Sequence, residues 1–571
     1  MKLWLLVTAI AVAGCVEHVQ LSNNGALPGL ISLEIAPGET ALAISDLAAP
    51  PQVVAFTATG HFVGGDTRDV TELVQWTADN PAPGTLGTTG TYATTNAAAG
   101  HVTIRATSGD IFATATVTIT VSIVIVDSEF PPPANADALF GDASVVTGDP
   151  MRSPSIRYPA EDTMFPQALS RILFQYTPGN GNDAVKLTFD SDVLHVVVYS
   201  GGDRWQPDSV IWALIELSNT GSQTTFAIAS TASATPGTVY AGAAETLHFS
   251  RRSIDASIDY WSDATKAVMR ARLDSAVAGK LYPIGTDKTC VGCHTVSRDG
   301  RRIALGYGGE TLQSVDLGSL AIQVPVTAKI PMGWATFSPT GDRLLVADRG
   351  VLTLYDAVTG AAIGPTNGRV PLGGMFATHP DWSPDGSFVL VALTTAAPTN
   401  MDLKGGSIAR IPYQNGSWGS PEILVASTTN NDNNYFPKWS PDGKLIAYVH
   451  ANSPAHAAPT AELLVITAAG GTPTPLRIAS HRVAGTDDVP NLANTMPTWA
   501  PVTGDLAWLA FASARPYGLV RPIIGASQIW VAAIDSSRAG DPSFAAFWLP
   551  AQLIANLNNN PIWAVAPTPV N

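Results

Sequence analysis

Apolar and polar residues alternate with a period of two through most of this chain, the pattern of half-buried β-strands. From Ile31 to Val121 the runs include Ser32-Leu33-Glu34-Ile35, Val53-Val54-Ala55-Phe56-Thr57-Ala58, Val74-Gln75-Trp76-Thr77, His101-Val102-Thr103-Ile104-Arg105-Ala106 and Ala113 to Val121. Gly and Pro separate them, so this block reads as an antiparallel sandwich. Pro131-Pro132-Pro133 marks a stiff linker. A second set of strands follows between about Ser153 and Ser250, including Arg171 to Tyr176, Val185 to Phe189, Leu194 to Tyr199 and Thr225 to Ala229. It reads as a second β-sandwich, with Phe174, Trp205 and Trp212 in its core.

The last part of the chain repeats itself. Ser297-Arg298-Asp299-Gly300, Ser338-Pro339-Thr340-Gly341, Ser383-Pro384-Asp385-Gly386 and Ser440-Pro441-Asp442-Gly443 recur, with Ala500-Pro501-Val502-Thr503-Gly504 as a stretched fifth copy. Each supplies turn residues and is followed by an apolar strand. Successive spacings of 41, 45, 57 and 60 residues bracket the ~40 to 50 residue blade of a β-propeller. Asn560-Pro561-Ile562-Trp563-Ala564-Val565 begins one more blade whose partners are missing downstream, whereas Ile258 to Trp261 and Val268 to Leu273 lie unclaimed before the first repeat. Pairing them closes the ring and removes its exposed edges. That count gives six blades, with five or seven left open. The expected fold class is therefore all-β: two N-terminal β-sandwiches, then a roughly six-bladed propeller.

Trp-Ser-Pro-Asp-Gly at Trp382 and Trp439 resembles the blade signature of TolB-like (WD40-like) propellers over about residues 290 to 550. The segment 31–122, with Trp76-Thr77-Ala78 before a Gly-rich stretch, resembles bacterial immunoglobulin-like domains of group 2, and 151–250 looks like a fibronectin type III module. The expected organisation is a leader at 1–15, linkers at 16–30 and 123–150, the two sandwiches, and a propeller over 251–571. The resemblance casts the first sandwich as a spacer and TolB-like propellers as platforms for protein partners.

Composition narrows the function. Only 13% of the 571 residues are charged, about half the usual ~25%, which disfavours long charged helices and coiled coils. The net charge is -15, so nucleic acid is a poor partner.

At the N-terminus, Met1 and Lys2 precede an apolar run from Leu3 to Val12. This is signal-peptide architecture, too short to cross a bilayer as a helix. Val12-Ala13-Gly14-Cys15 resembles the lipobox of bacterial lipoproteins, which implies lipidation of Cys15 and cleavage just before it. Val16, not Asp, follows the cysteine, so the resemblance points to the outer membrane on its periplasmic or surface side. The acyl chains would supply a membrane anchor.

Besides Cys15, the only cysteines are in Cys290-Val291-Gly292-Cys293-His294. This is the attachment motif of c-type haem: two thiols add across the porphyrin vinyl groups, and the adjacent imidazole is the proximal iron ligand. From the chain's own frequencies, such spacing arises after a given cysteine with a probability on the order of 10⁻⁴. The alternative is a Cys290 to Cys293 disulfide with His294 at the surface; zinc lacks a second paired-cysteine element. The turn Ser297 to Gly300 begins three residues after His294, so the motif does not open a compact cytochrome domain but sits on the propeller.

Counting four residues back from each turn aligns Cys293 with Trp334, His379, Phe436 and Met496. These positions should ring one mouth of the central channel. Met332, Met375 and His379, on the lead-ins to the next two blades, are the candidate distal ligands. Polar loops at Asn430 to Asn434, Asp487-Asp488 and Asn558 to Asn560 serve either as loop caps or as a calcium or substrate site. The sequence thus points to an anchored extracytoplasmic c-type cytochrome working with an unidentified redox or docking partner. A non-catalytic propeller scaffold with a disulfide and a haem-dependent redox enzyme are the alternatives. No Gly-x-Ser-x-Gly elbow supports a hydrolase.

Overall fold

The computed structural model describes residues 26–282, 293–307, 310–453, 458–481, 492–502, 504–520, 522 and 526–565, which form two compact units. Cys15, Cys290 and the Asp487-Asp488 loop lie outside the described residues. The fold is all-β. No described helix is long and apolar enough to cross a membrane.

The first unit comprises residues up to 123 with 192–195. Strand Gly100–Ser108 alternates buried and exposed side chains along its length and pairs antiparallel with Ile111–Val126 and with Gln75–Ala78. Its inward face carries Val102, Ile104 and Ala106, each fully buried. One pair departs from the antiparallel expectation: Glu39–Ile44 runs parallel to Thr116–Val121.

In the second unit, residues 124–191 and 196–255 pack with the propeller as one compact body. Their sheet is mixed. Thr163–Gln167 runs parallel to Glu245–Ser253, and Ser144–Thr147 parallel to Thr238–Ala241, while Ala184–Asp190 and Gln223–Thr231 are antiparallel. A helix, Ser209–Ser218, begins at Asp208, whose carboxylate accepts from the backbone N–H groups of Val210 and Ile211. It buries Trp212 against Phe165 and Phe249. Phe174, Trp205 and Trp212 are all buried in this aromatic core.

The described residues form six propeller blades. Blade 1 joins the ends of the propeller: Asn558–Val565 is its inner strand and pairs antiparallel with Ala256–Ser262, followed by Ala267–Arg272 and Gly279–Tyr282. The other inner strands are His294–Val296, Trp334–Phe337, Phe376–Trp382, Asn433–Trp439 and Thr495–Trp499, opening blades 2 to 6. Each contacts the next, and the first and last both touch Asn558–Val565, so the ring is closed as the unclaimed segments predicted.

The repeated turn explains its own sequence. In blades 2 to 5 the serine hydroxyl accepts from the backbone N–H five residues on (Arg302, Arg343, Phe388, Leu445). It donates in turn to Asp299, Asp342, Asp385 or Asp442. The glycines take positive φ angles of 68 to 74°, a conformation that costs other residues about 1–2 kcal/mol.

Candidate functional site: the channel mouth

The inner strands converge on a narrow cavity of about 30 Å³ at one end of the channel, lined by His294, Trp334, His379, Phe436, Met496 and Asn560 with their following residues. In blades 4 to 6 and blade 1, the ring residue is followed by proline: His379-Pro380, Phe436-Pro437, Met496-Pro497 and Asn560-Pro561. At each, the register with the neighbouring strand slips. His379, Phe436, Met496 and Asn560 adopt left-handed φ angles of 49 to 55°. Such bulges re-aim a side chain, and the proline has no N–H to lose from the ladder. Four equivalent non-glycine residues are held there, each at a cost of order 1–3 kcal/mol.

The ring has an aromatic half and a polar half. Trp334, His379 and Phe436 pack together with centroid separations of 5.0, 3.9 and 4.9 Å. Across from them, Asn560 Nδ2 lies 3.3 Å from both His294 Nδ1 and the His294 carbonyl, and its backbone N–H points at Met496 Sδ, 3.2 Å away. His294 Nε2 lies 3.4 Å from the Asp259 carbonyl. With Asn560 donating to Nδ1, the imidazole proton sits on Nε2.

Asp259 is fully buried and held by a bidentate pair with Arg270, both contacts at 2.7 Å. Burial pushes its carboxyl above the usual range, against the pull of Arg270 and His294. Lys438, also on the cavity wall, is 3.1 Å from Asp381 of the neighbouring blade, whose other oxygen accepts from Trp439 N at 2.9 Å.

The turn count places four of its five positions on this cavity: Trp334, His379, Phe436 and Met496. At the fifth, half-buried Cys293 marks the start of the inner strand, and its neighbour His294 lines the cavity instead. Asn560 completes the ring from the closing strand, and the shared residue-proline pattern was the signal that could have found it.

The distal candidates separate. His379 is on the wall; Met332 is buried in the core between blades 2 and 3 with Phe337 and Leu344. Met375 packs against the core cluster of Leu345 and Trp382. Met496 is the thioether that the fold brings to the mouth.

In the described polar loops, Asp432 accepts from Thr428 N and Oγ1, each at 2.7 Å, and Asn434 donates to the Gly406 carbonyl. Asn558 donates to the Leu553 carbonyl at 3.1 Å. Among the described residues no three His, Cys, Asp or Glu side chains gather as a metal cluster.

The chemistry of the mouth was tested against a haem. The donor types suit iron: imidazoles at His294 and His379, a thioether at Met496, and the Cys293 thiol at the strand start. The channel interior does not suit a porphyrin, because about 30 Å³ is far below the ~300–1,000 Å³ of ligand pockets. Only the outer face of the mouth is compatible. Ligation through His294 Nε2 further requires that nitrogen to leave the Asp259 carbonyl.

No protein family profile matches the chain, and no curated protein matches it. Among solved structures it is similar to a TolB from Agrobacterium tumefaciens described as putative, at 16% identity over 54% of this chain and 98% of that one, TM-score 0.30. A nidogen/laminin complex matches at 10% identity over 55% and 99%, TM-score 0.35. Hydrazine synthase of Kuenenia stuttgartiensis matches at 16% identity over 38% and 75%, TM-score 0.23. The strand pairing and ring closure carry the propeller assignment independently.

Proposed function

We propose that this chain is a membrane-anchored extracytoplasmic c-type cytochrome, with haem bonded to Cys290 and Cys293 on the outer face of the channel mouth. The observation that carries the reading is the Cys290 to His294 motif running directly into an inner strand, with His294 on the wall of a ring that also holds His379 and Met496. When bound, the haem would supply one-electron chemistry. The chain's own residues do the rest. His294 would hold the iron through a ring nitrogen, and Asn560 orients its imidazole through Nδ1. Trp334 and Phe436 would exclude water from the mouth, and His379 or Met496 would offer a second donor. Cys15 carries the lipid, the first unit serves as a spacer, and a redox protein docks at the mouth.

A second reading is favoured by a specific observation: both imidazole nitrogens of His294 have protein partners, and the cavity is narrow. A propeller scaffold with a Cys290 to Cys293 disulfide would leave these contacts intact.

A pyridine haemochrome spectrum, with a haem-stained denaturing gel, of full-length protein from a host competent in haem c maturation separates the two. A c-type α-band on a covalently stained chain is expected. A colourless chain whose two thiols are joined overturns the cytochrome reading and leaves the scaffold.

A further inference from the structure

A second cavity of the second unit lies away from the mouth. It is a cleft of about 760 Å³ between strand Glu245–Ser253 and blade 6, within the ~300–1,000 Å³ range of small-molecule sites. One wall is cationic. The parallel pairing of Glu245–Ser253 with Thr163–Gln167 jumps from Phe165↔Phe249 to Gln167↔Ser253, so Ser250, Arg251 and Arg252 bulge from the ladder. The bulge is pinned by the Ser250 hydroxyl, which donates to the Arg252 carbonyl at 2.6 Å. Gly221 makes room for Arg251: a Cβ there would fall 2.6 Å from the arginine Cγ.

Neither arginine meets a carboxylate among the described residues. Asp255, beside them, faces Arg272 at 3.5 Å, and Asp162 is taken by His248 and Arg538 at 3.0 and 2.7 Å. Both guanidinium groups are exposed at the cleft, and Arg252 reaches towards blade 6, where a Cβ on Gly504 would lie 4.0 Å from its terminal nitrogen. The facing wall, from blade 6, is acidic: Asp505 and Asp535. Asp535 commits Oδ1 to Ser537. Between the walls the lining is apolar, with Met164, Phe249 and Trp508.

We propose that this cleft binds short peptides with free termini, the carboxylate on Arg251 and Arg252, the ammonium group on Asp505 and Asp535, and an apolar side chain on Trp508. Charge of opposite sign on opposing walls selects a ligand that carries both signs, and the apolar lining between them selects one with an apolar middle. A simple anion would leave the acidic wall unused, and a neutral ligand would leave both walls unused.

The test is calorimetric titration of the full-length protein with alanyl-leucyl-alanine, its N-acetyl form and its C-terminal amide. The free tripeptide should bind best, and each cap should weaken binding about tenfold, the loss of one charge-assisted contact. In an Arg251→Ala, Arg252→Ala variant the free and amidated peptides should bind alike. In Asp505→Asn the penalty for acetylation should shrink. The capped series on the unaltered protein stands independently of how the variants fold. No binding of the free tripeptide, or binding indifferent to either cap, overturns the proposal. A penalty for amidation alone also overturns it, in favour of a plain carboxylate site.

Discussion

At the channel mouth, ring side chains come from equivalent positions of a repeat. The lateral cleft instead takes Arg251 and Arg252 from one strand and Asp505 and Asp535 from blade 6, more than 250 residues later. The mouth is narrow, with Asn560 and His294 bonded to each other; the cleft is wide and its arginines have no carboxylate among the described residues. A closed ring squeezes its axis, because inner strands from all six blades converge there. Irregular packing of a non-repeating segment on the outside leaves room. The repeat therefore makes a narrow, tightly packed axis, and the add-on leaves open volume beside it.

Changes at each site should leave the other alone, and the largest effect is the most decisive. Cys290→Ser with Cys293→Ser should abolish covalent haem staining entirely, while tripeptide binding in the cleft stays unchanged by calorimetry. Trp563 is 5% exposed in the closing strand; Trp563→Ala should cost about 3–5 kcal/mol, read as a lower denaturant midpoint, with the mouth loosened first.

Glu216 tests the frame behind the cleft. It is 4% exposed, and burial raises its carboxyl to about 7, against hydrogen bonds from the N–H groups of Ala168 and Leu169. Because the folded value lies above the usual 4.5, the protonated form stabilises the fold at low pH, and that contribution is lost as pH rises from about 4.5 to about 7. Glu216→Gln should therefore flatten this dependence and stabilise the protein at pH 8 by up to about 3 kcal/mol, with little change at pH 4. A thermal melt at each pH checks it. The smallest effect is at the mouth: Asn560→Ala removes the partner of His294 Nδ1 and should cost about 1 kcal/mol, read as a slightly lower denaturant midpoint.

The propeller was legible because its physics is local and repeated. Ser383-Pro384-Asp385-Gly386 encodes a turn whose hydrogen bonds are internal to six residues, so one copy predicts the others. Closure was legible as well, since the strand at Asn558–Val565 had no partner except one before the first repeat.

What stayed hidden depends on long-range contacts. Ser209–Ser218 is helical because Asp208 caps it and Trp212 finds an aromatic pocket, although its apolar run carries no strong period. The parallel pairing of Thr163–Gln167 with Glu245–Ser253 joins segments about 80 residues apart, and no pattern in either announces it. Met332 and Met375 stand on the lead-ins to blades 3 and 4, but their places between blades follow from blade packing. Met496 differs from them in preceding a proline, and the bulge turns it to the axis.

The closing strand has a consequence for synthesis. His294 and Asn560 are 266 residues apart in sequence, so a chain that enters its folding compartment N-terminus first presents the histidine well before the residue that covers it. Until Asn558–Val565 arrives, blade 1 lacks its inner strand and the His294 imidazole lacks one of its partners. Any group to be installed there would have to arrive before the final strand closes the ring.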